Sequence, residues 1–255
     1  EVLSTEKGNK IFYAKWSIKK LTVTLDANRG TIGEGNISGE TKPYGTALPT
    51  DVTRTGYEFL GWFTELSGGE RVETVGDGDG SVTYYARWQA KEYTITFNYN
   101  GGSVHEGEEK ETEKVTFGQA VGALPAPEKL GYSFDGWWAN ASFEGEEITA
   151  TSIWSIAGDT TLFAKWIGNN DTAYKIEYYF ENLQGEFEHI ENRDETKYCV
   201  TGTSVSVEFK AIEGFSRVSN ANEVLTGNIL PDGSLVLKIY YARRTYAITL
   251  NKNGG

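Results

Sequence analysis

The side chains able to do chemistry in this chain are few and far apart. His105 and His189 are its two imidazoles. A metal centre or a Ser-His-Asp relay would need one of them within a few ångströms of carboxylates or of the other. Both sit in polar stretches of separate segments, and their spacing predicts neither. Gly76-Asp-Gly-Asp-Gly80 resembles part of a calcium loop, but such a loop needs a bidentate Glu further on and flanking helices. Here Ser81-Val-Thr-Tyr84 begins a strand, so a polar hairpin loop is expected. The single cysteine, Cys199, excludes internal disulfides and any cysteine-based zinc site. It lies in Tyr198-Cys-Val-Thr-Gly202, a strand running into a turn. With no basic neighbour to activate it, it reads as a buried structural thiol. No catalytic, cofactor-binding or metal-binding residue is assigned, and the expectation is a protein that is not an enzyme.

The remaining chemistry is aromatic, with 7 Trp, 15 Tyr and 12 Phe. Tryptophans can line glycan platforms or fill cores. Most of them recur at matching places along the chain and alternate with strand residues, as core residues do. Phe63, Trp138 and Trp154 are the ones expected at the surface. Trp138 points opposite to Trp137 on a strand, Phe63 holds its place earlier in the chain, and Trp154 has no clear counterpart. They form the candidate ligand patch, suited to a host glycan or surface glycoprotein.

A repeat positions these residues. Phe12-Tyr-Ala-Lys-Trp16, Tyr84-Tyr-Ala-Arg-Trp88, Leu162-Phe-Ala-Lys-Trp166 and a drifted Tyr240-Tyr-Ala-Arg-Arg244 close successive units. Thr55-Gly-Tyr-Glu-Phe-Leu-Gly-Trp-Phe63 recurs as Leu130-Gly-Tyr-Ser-Phe-Asp-Gly-Trp-Trp138. Units open on strict alternation at Leu21–Leu25, Tyr93–Phe97, Tyr174–Tyr178 and Tyr246–Leu250. Three markers in one order make a tandem array. Residues 1–17 are expected to be the tail of a preceding repeat. Units then run over 18–90, 91–168 and 169–244, and 245–255 begin a further one. Three units in line, rather than one globule, are expected.

Alternation of period two reads as half-buried strands. Strands are expected at Lys114–Phe117, Tyr132–Trp138 and Leu162–Trp166, with at most a short helix over 118–127 and a helical turn over 149–156. Trp62 with Trp88, and Trp137 with Trp166, are the expected cores. Gly61 and Gly136, each before a Trp, suggest bulges or close backbone approaches. The joints Gln89–Glu92 and Ile167–Thr172 are short and are not Gly/Ser tethers. The third unit lacks Gly-Trp. Its last strand puts Lys238, Tyr240 and Ala242 where the first puts Val82, Tyr84 and Ala86, so it must pack differently or slip by one residue.

The net charge is −12. Nucleic acid and anionic lipid repel such a chain, so neither is an expected partner. No apolar run approaches the roughly 18 residues of a membrane span. Targeting and anchoring signals are expected outside this segment.

Residues 131–138 with 159–166, and 56–62 with 85–88, resemble the internalin B-type B repeat, also called the Listeria–Bacteroides repeat. The third unit, from Tyr174 to Phe180, resembles mucin-binding-protein repeats. The resemblance implies an α+β, β-rich array of small β-grasp (ubiquitin-like) units on the extracellular bacterial cell surface, used for spacing or adhesion, with no catalytic residues. Neighbouring repeats of the same chain are the expected partners. The apolar strands at 11–16 and 246–250 are expected to dock on adjacent units or to associate end to end. The alternative is a glycan-binding accessory region of a secreted carbohydrate-active enzyme.

Overall fold

The computed structural model describes residue 8 and residues 11–105, 110–251 and 253. The protein is β-rich. Among these residues the one helical element is a single 3-10 turn, Glu191–Arg193, so the α part of the expected α+β class finds no helix here. The reason is local. The stretch 118–127 is broken by Gly118 and Gly122, both at positive φ, and by Pro125 and Pro127, and Ala120 bridges Ile153 in extended form. The expected helical turn over 149–156 is a tight turn at Thr149–Ser152 followed by the same extended ladder. The run Glu106-Gly-Glu108-Glu109-Lys110-Glu111, whose charges suggest a loop tip, lies outside the described residues over 106–109.

Backbone contacts divide the chain into two compact units. Unit 1 holds the described residues up to Tyr93, with Lys114–Ala120 and Ile153–Asp159. Unit 2 holds the rest.

In unit 1 the strands are β1 (Lys20–Asp26), β2 (Thr31–Ile32), β3 (Thr41–Pro43), β4 (Val52–Thr53), β5 (Tyr57–Phe63), β6 (Arg71–Val72) and β7 (Ser81–Ala90). Five form a sheet ordered β3-β1-β7-β5-β6, and β2 and β4 pair apart. Leu21, Val23 and Leu25 are buried while the threonines between them face water, the pattern of a sheet with one face on a core. β1 runs parallel to β7 and β5 antiparallel to it. The β5 ladder skips a residue between Phe59 and Gly61. Gly61, at φ 120°, adopts the left-handed geometry that other residues resist. That bulge turns Trp62 into the core, where its indole donates to Pro49 O at 2.8 Å. Trp88 donates to Ala27 O at 3.0 Å.

Unit 2 repeats these devices. Its first sheet uses β8 (Glu92–Asn98, entering from unit 1), β9 (Thr112–Thr116, of which Lys114–Thr116 are counted in unit 1), β10 (Tyr132–Trp138) and β11 (Thr160–Gly168), ordered β10-β11-β8-β9. β11 is parallel to β8, and the β10 ladder is interrupted between Phe134 and Gly136. Trp137 donates to Pro125 O at 2.9 Å and Trp166 to Tyr99 O at 3.0 Å.

The last strands are β12 (Thr172–Glu181), β13 (Phe187–His189), β14 (Glu195–Cys199), β15 (Ser204–Ser206), β16 (Phe215–Val218), β17 (Thr226–Asn228) and β18 (Val236–Arg243), and all but β15 and β17 form the last sheet. Its order is β13-β12-β18-β16, with β14 also on β12, and β15 pairs β17 apart. β12 is parallel to β18, matching Ile176 to Leu237, Tyr178 to Ile239 and Phe180 to Tyr241. These residues form the core. The closing strand therefore slips by one residue relative to its motif: Leu237, Ile239 and Tyr241 point inward, not Lys238, Tyr240 and Ala242. The missing Gly-Trp accompanies this slip. β16 pairs with β18 without a skip, so no bulge adds the extra residue.

Candidate functional site

Two short connections are built alike. In unit 1 the Lys91 amide donates to Gly56 O, and the Lys91 carbonyl accepts the Phe117 amide, both at 2.9 Å. In unit 2 the Asn169 amide donates to Gly131 O, and its carbonyl accepts the Thr201 amide, again both at 2.9 Å. One joint residue thus ties a glycine–aromatic turn on one side to a second turn on the other. Gly56 and Gly131 have φ of 77° and 74°, where L side chains are strained. A Cβ on Gly56 would run into the Phe117 ring, and one on Gly131 into Pro231. The following aromatics match as well. The Tyr57 hydroxyl lies over Gly118 and the Tyr132 hydroxyl over Gly202, and the Tyr57 ring meets Phe117 edge-on.

The ladder beyond each joint also recurs. Gly118 N donates to Trp154 O at 2.8 Å, Gly45 N to Val75 O at 2.8 Å and Gly202 N to Ile229 O at 2.9 Å. Trp154 therefore has counterparts in Val75 and Ile229, and all three are at most 1% exposed. This corrects its expected place in a surface patch. Phe63 and Trp138 are half-buried and capped by cations of the closing strands: the Arg87 guanidinium lies 4.0 Å from the Phe63 ring centre and the Lys165 ammonium 4.8 Å from that of Trp138. Neither ring offers an open stacking face on its capped side.

A second cluster, missed in the sequence, covers the outer face of the last sheet. Lys175, Glu177 and Tyr179 are the outward positions of β12, facing Lys238 and Tyr240 on β18. His189 Nε2 lies 2.9 and 3.0 Å from the two Asp194 oxygens. Lys175 Nζ is 2.7 Å from Asp194 Oδ2 and 3.5 Å from Glu177 Oε1. The Tyr179 hydroxyl donates to Glu177 Oε2 at 2.9 Å. Its ring stacks on His189 and on Tyr240, at centroid distances of 5.1 and 4.7 Å. Ligand atoms of Glu177, His189 and Asp194 lie within 4.8 Å of one another, spacing that a metal could use. The Lys175 ammonium already satisfies both carboxylates, however, and a metal would have to displace it. Burial opposes ionisation of Asp194, but hydrogen bonds from Lys175 and His189 hold its carboxyl below the ordinary value. Burial, then the bond to Glu177, pushes the Tyr179 hydroxyl up to about 12. The outward run of β12 was the available signal; the partners on β13 and before β14 were not readable from it.

The other chemistry-bearing residues stand apart. His105 lies 3.4 Å from Glu128, both exposed. Asp77 of the Gly76–Gly80 loop pairs with Lys19 at 2.9 Å. Cys199 is half-buried rather than buried, 3.5 Å from the Thr203 hydroxyl. The apolar side chains Phe12, Trp16, Tyr246, Ile248 and Leu250 are at least 72% exposed, so within this chain they do not dock on an adjacent unit.

The Listeria-Bacteroides repeat domain matches residues 22–87 and 93–165. A protein of Evansella cellulosilytica provisionally described as a Gly-rich membrane protein is 32% identical over 169 residues, 62% of this chain and 17% of that protein. A second from the same organism, provisionally described as a membrane protein, is 31% identical over 69% of this chain and 25% of its own length. Internalin H of Listeria monocytogenes is 31% identical over 48% of this chain and 21% of its length. The chain thus spans a quarter or less of each of these relatives. No helix among the described residues is long and apolar enough to cross a membrane.

Proposed function

Because this chain belongs to the Listeria-Bacteroides repeat family, we propose that it is a non-catalytic spacing or adhesion segment of a bacterial surface protein, exposed outside the cell. The observation that carries this reading is the joint. Lys91 and Asn169 sit in different sequences yet make the same pair of backbone hydrogen bonds, so what recurs is a way of linking successive repeats of the sequence and not a polar constellation. Repeated packing around a fixed joint suits reach and spacing. The parallel pairing of first and last strands in each of the three larger sheets also favours a β-grasp-like unit, with extended loops in place of the crossing helix.

The test is a glycan array and a mucin pull-down with the full chain and with Trp138→Ala. A passive spacer retains no ligand. Retention of mucin that survives Trp138→Ala would favour adhesion over spacing. Tight glycan binding abolished by Trp138→Ala would overturn both in favour of a carbohydrate-binding region.

A further inference from the structure

Each joint needs two halves, and each half also occurs alone in this chain. The Tyr44 amide donates to Lys19 O at 2.8 Å, as Phe117 does to Lys91. Gly45 then bonds Val75 as Gly118 bonds Trp154. Tyr44 therefore holds the place of Phe117, but its ring is 58% exposed. Among the described residues no aromatic ring packs on it, and no backbone carbonyl accepts the Lys19 amide. The opposite half lies at Gly214, at φ 78° and followed by Phe215. The Arg244 amide donates to Gly214 O at 2.9 Å. Among the described residues no backbone amide reaches the Arg244 carbonyl. Spacing agrees with geometry: Lys19, Lys91 and Arg244 each stand two residues before an opening alternation, at Leu21, Tyr93 and Tyr246.

We infer that the Tyr44–Gly45 face is a docking surface for the glycine–aromatic turn of another repeat of this family, joined to this chain at position 19. The occupant is restricted by chemistry. It must present a glycine at positive φ, because the ring it meets leaves no room for a Cβ, as at Gly56 under Phe117. It must offer that glycine's carbonyl to the joint amide, and place an aromatic ring beside Tyr44. Gly214 meets the first requirement, and its carbonyl already takes the amide of Arg244, the residue equivalent to Lys19; the Phe215 ring that follows packs edge-on against Phe180. The inference does not depend on whether the array spaces or adheres.

The test is a chain in which residues 1–244 run directly into residues 20–255 of a second copy, so that Arg244 takes the place of Lys19. Native-state nitration with tetranitromethane is read by mass spectrometry of the Tyr44 peptide. Tyr198, 66% exposed and remote in sequence from the new joint, is the internal reference. Labelling of Tyr44 relative to Tyr198 should fall to about half of its value in the single chain, because one of two copies is covered. Gly214→Val in the fused chain should return the ratio to the single-chain value with unchanged circular dichroism. An unchanged ratio in the parent fusion overturns the inference, whatever the variant does. Glycan binding, present or absent, does not enter this readout, so the two proposals fail separately.

Discussion

The Tyr57 ring meets Phe117 edge-on, with centroids 5.5 Å apart and planes at 77°. The glycine before that tyrosine is what allows it. Gly56 bends at positive φ beneath the same Phe117 ring, so turn geometry and ring contact are one feature. Any larger residue at position 56 would meet the Phe117 ring and strain the turn whose carbonyl Lys91 uses.

Gly56→Ala should accordingly destabilise the protein by about 1–3 kcal/mol, combining left-handed backbone strain with the ring clash. Gly35→Ala separates the two contributions, since Gly35 has φ 74° but open space around it. Denaturant unfolding should give the larger loss for Gly56→Ala, partly recovered in the double variant with Phe117→Leu. Equal losses at Gly35 and Gly56 would mean that the ring contact contributes nothing.

Trp154 carries an indole N–H that is buried without a partner, whereas Trp137 donates to Pro125 O at 2.9 Å. Replacing Trp137 by Phe leaves the half-buried Pro125 carbonyl without its donor, a cost of about 1 kcal/mol beyond the lost volume. Replacing Trp154 by Phe strands nothing and removes an unsatisfied donor. Thermal unfolding should rank Trp154→Phe as the milder change. The reverse order would show that the Trp154 donor has a partner in solution.

Acid should weaken the last sheet first. Hydrogen bonds from Lys210 and then Tyr178 hold Glu195 below its ordinary value of 4.5. Asp194 is held below 3.8, burial opposing and Lys175 and His189 prevailing. A folded carboxyl with a lowered pKa binds fewer protons than the unfolded one, so stability falls with pH. The contribution is complete above the ordinary values and is lost as pH drops from there through the folded ones. Unfolding midpoints measured from about pH 6 to about pH 3 should decline, and Asp194→Asn should flatten the lower part of that decline. An unchanged slope in the variant would remove Asp194 from the account.

Where one strand carries its own information, the sequence was readable. The alternation at Leu21–Leu25 named the core face of β1, and glycines before Trp62 and Trp137 located both bulges. What failed was information divided between distant segments. Trp154 looked unmatched because its counterparts, Val75 and Ile229, share its ladder position but not its size. The slip of the last closing strand was itself legible, because its motif would have put Lys238 in the core; Leu237, Ile239 and Tyr241 take that face instead. His189 meets Asp194 only because β13 and β14 both fold onto β12. The role of Gly56 and Gly131 was hidden for the same reason: the motif marks the period, but the carbonyl each glycine offers is used by a residue more than 30 positions later.

Native-state amide hydrogen exchange at Lys91 and Asn169 tests the central claim most directly. If the connections are built joints, both amides are hydrogen-bonded to Gly56 and Gly131 in solution. They should then exchange at least about a hundredfold more slowly than an unstructured peptide, in the same class as neighbouring strand amides. Exchange of both at the unprotected rate would mean that the connections are loose tethers and that the repeated joint does not exist in solution.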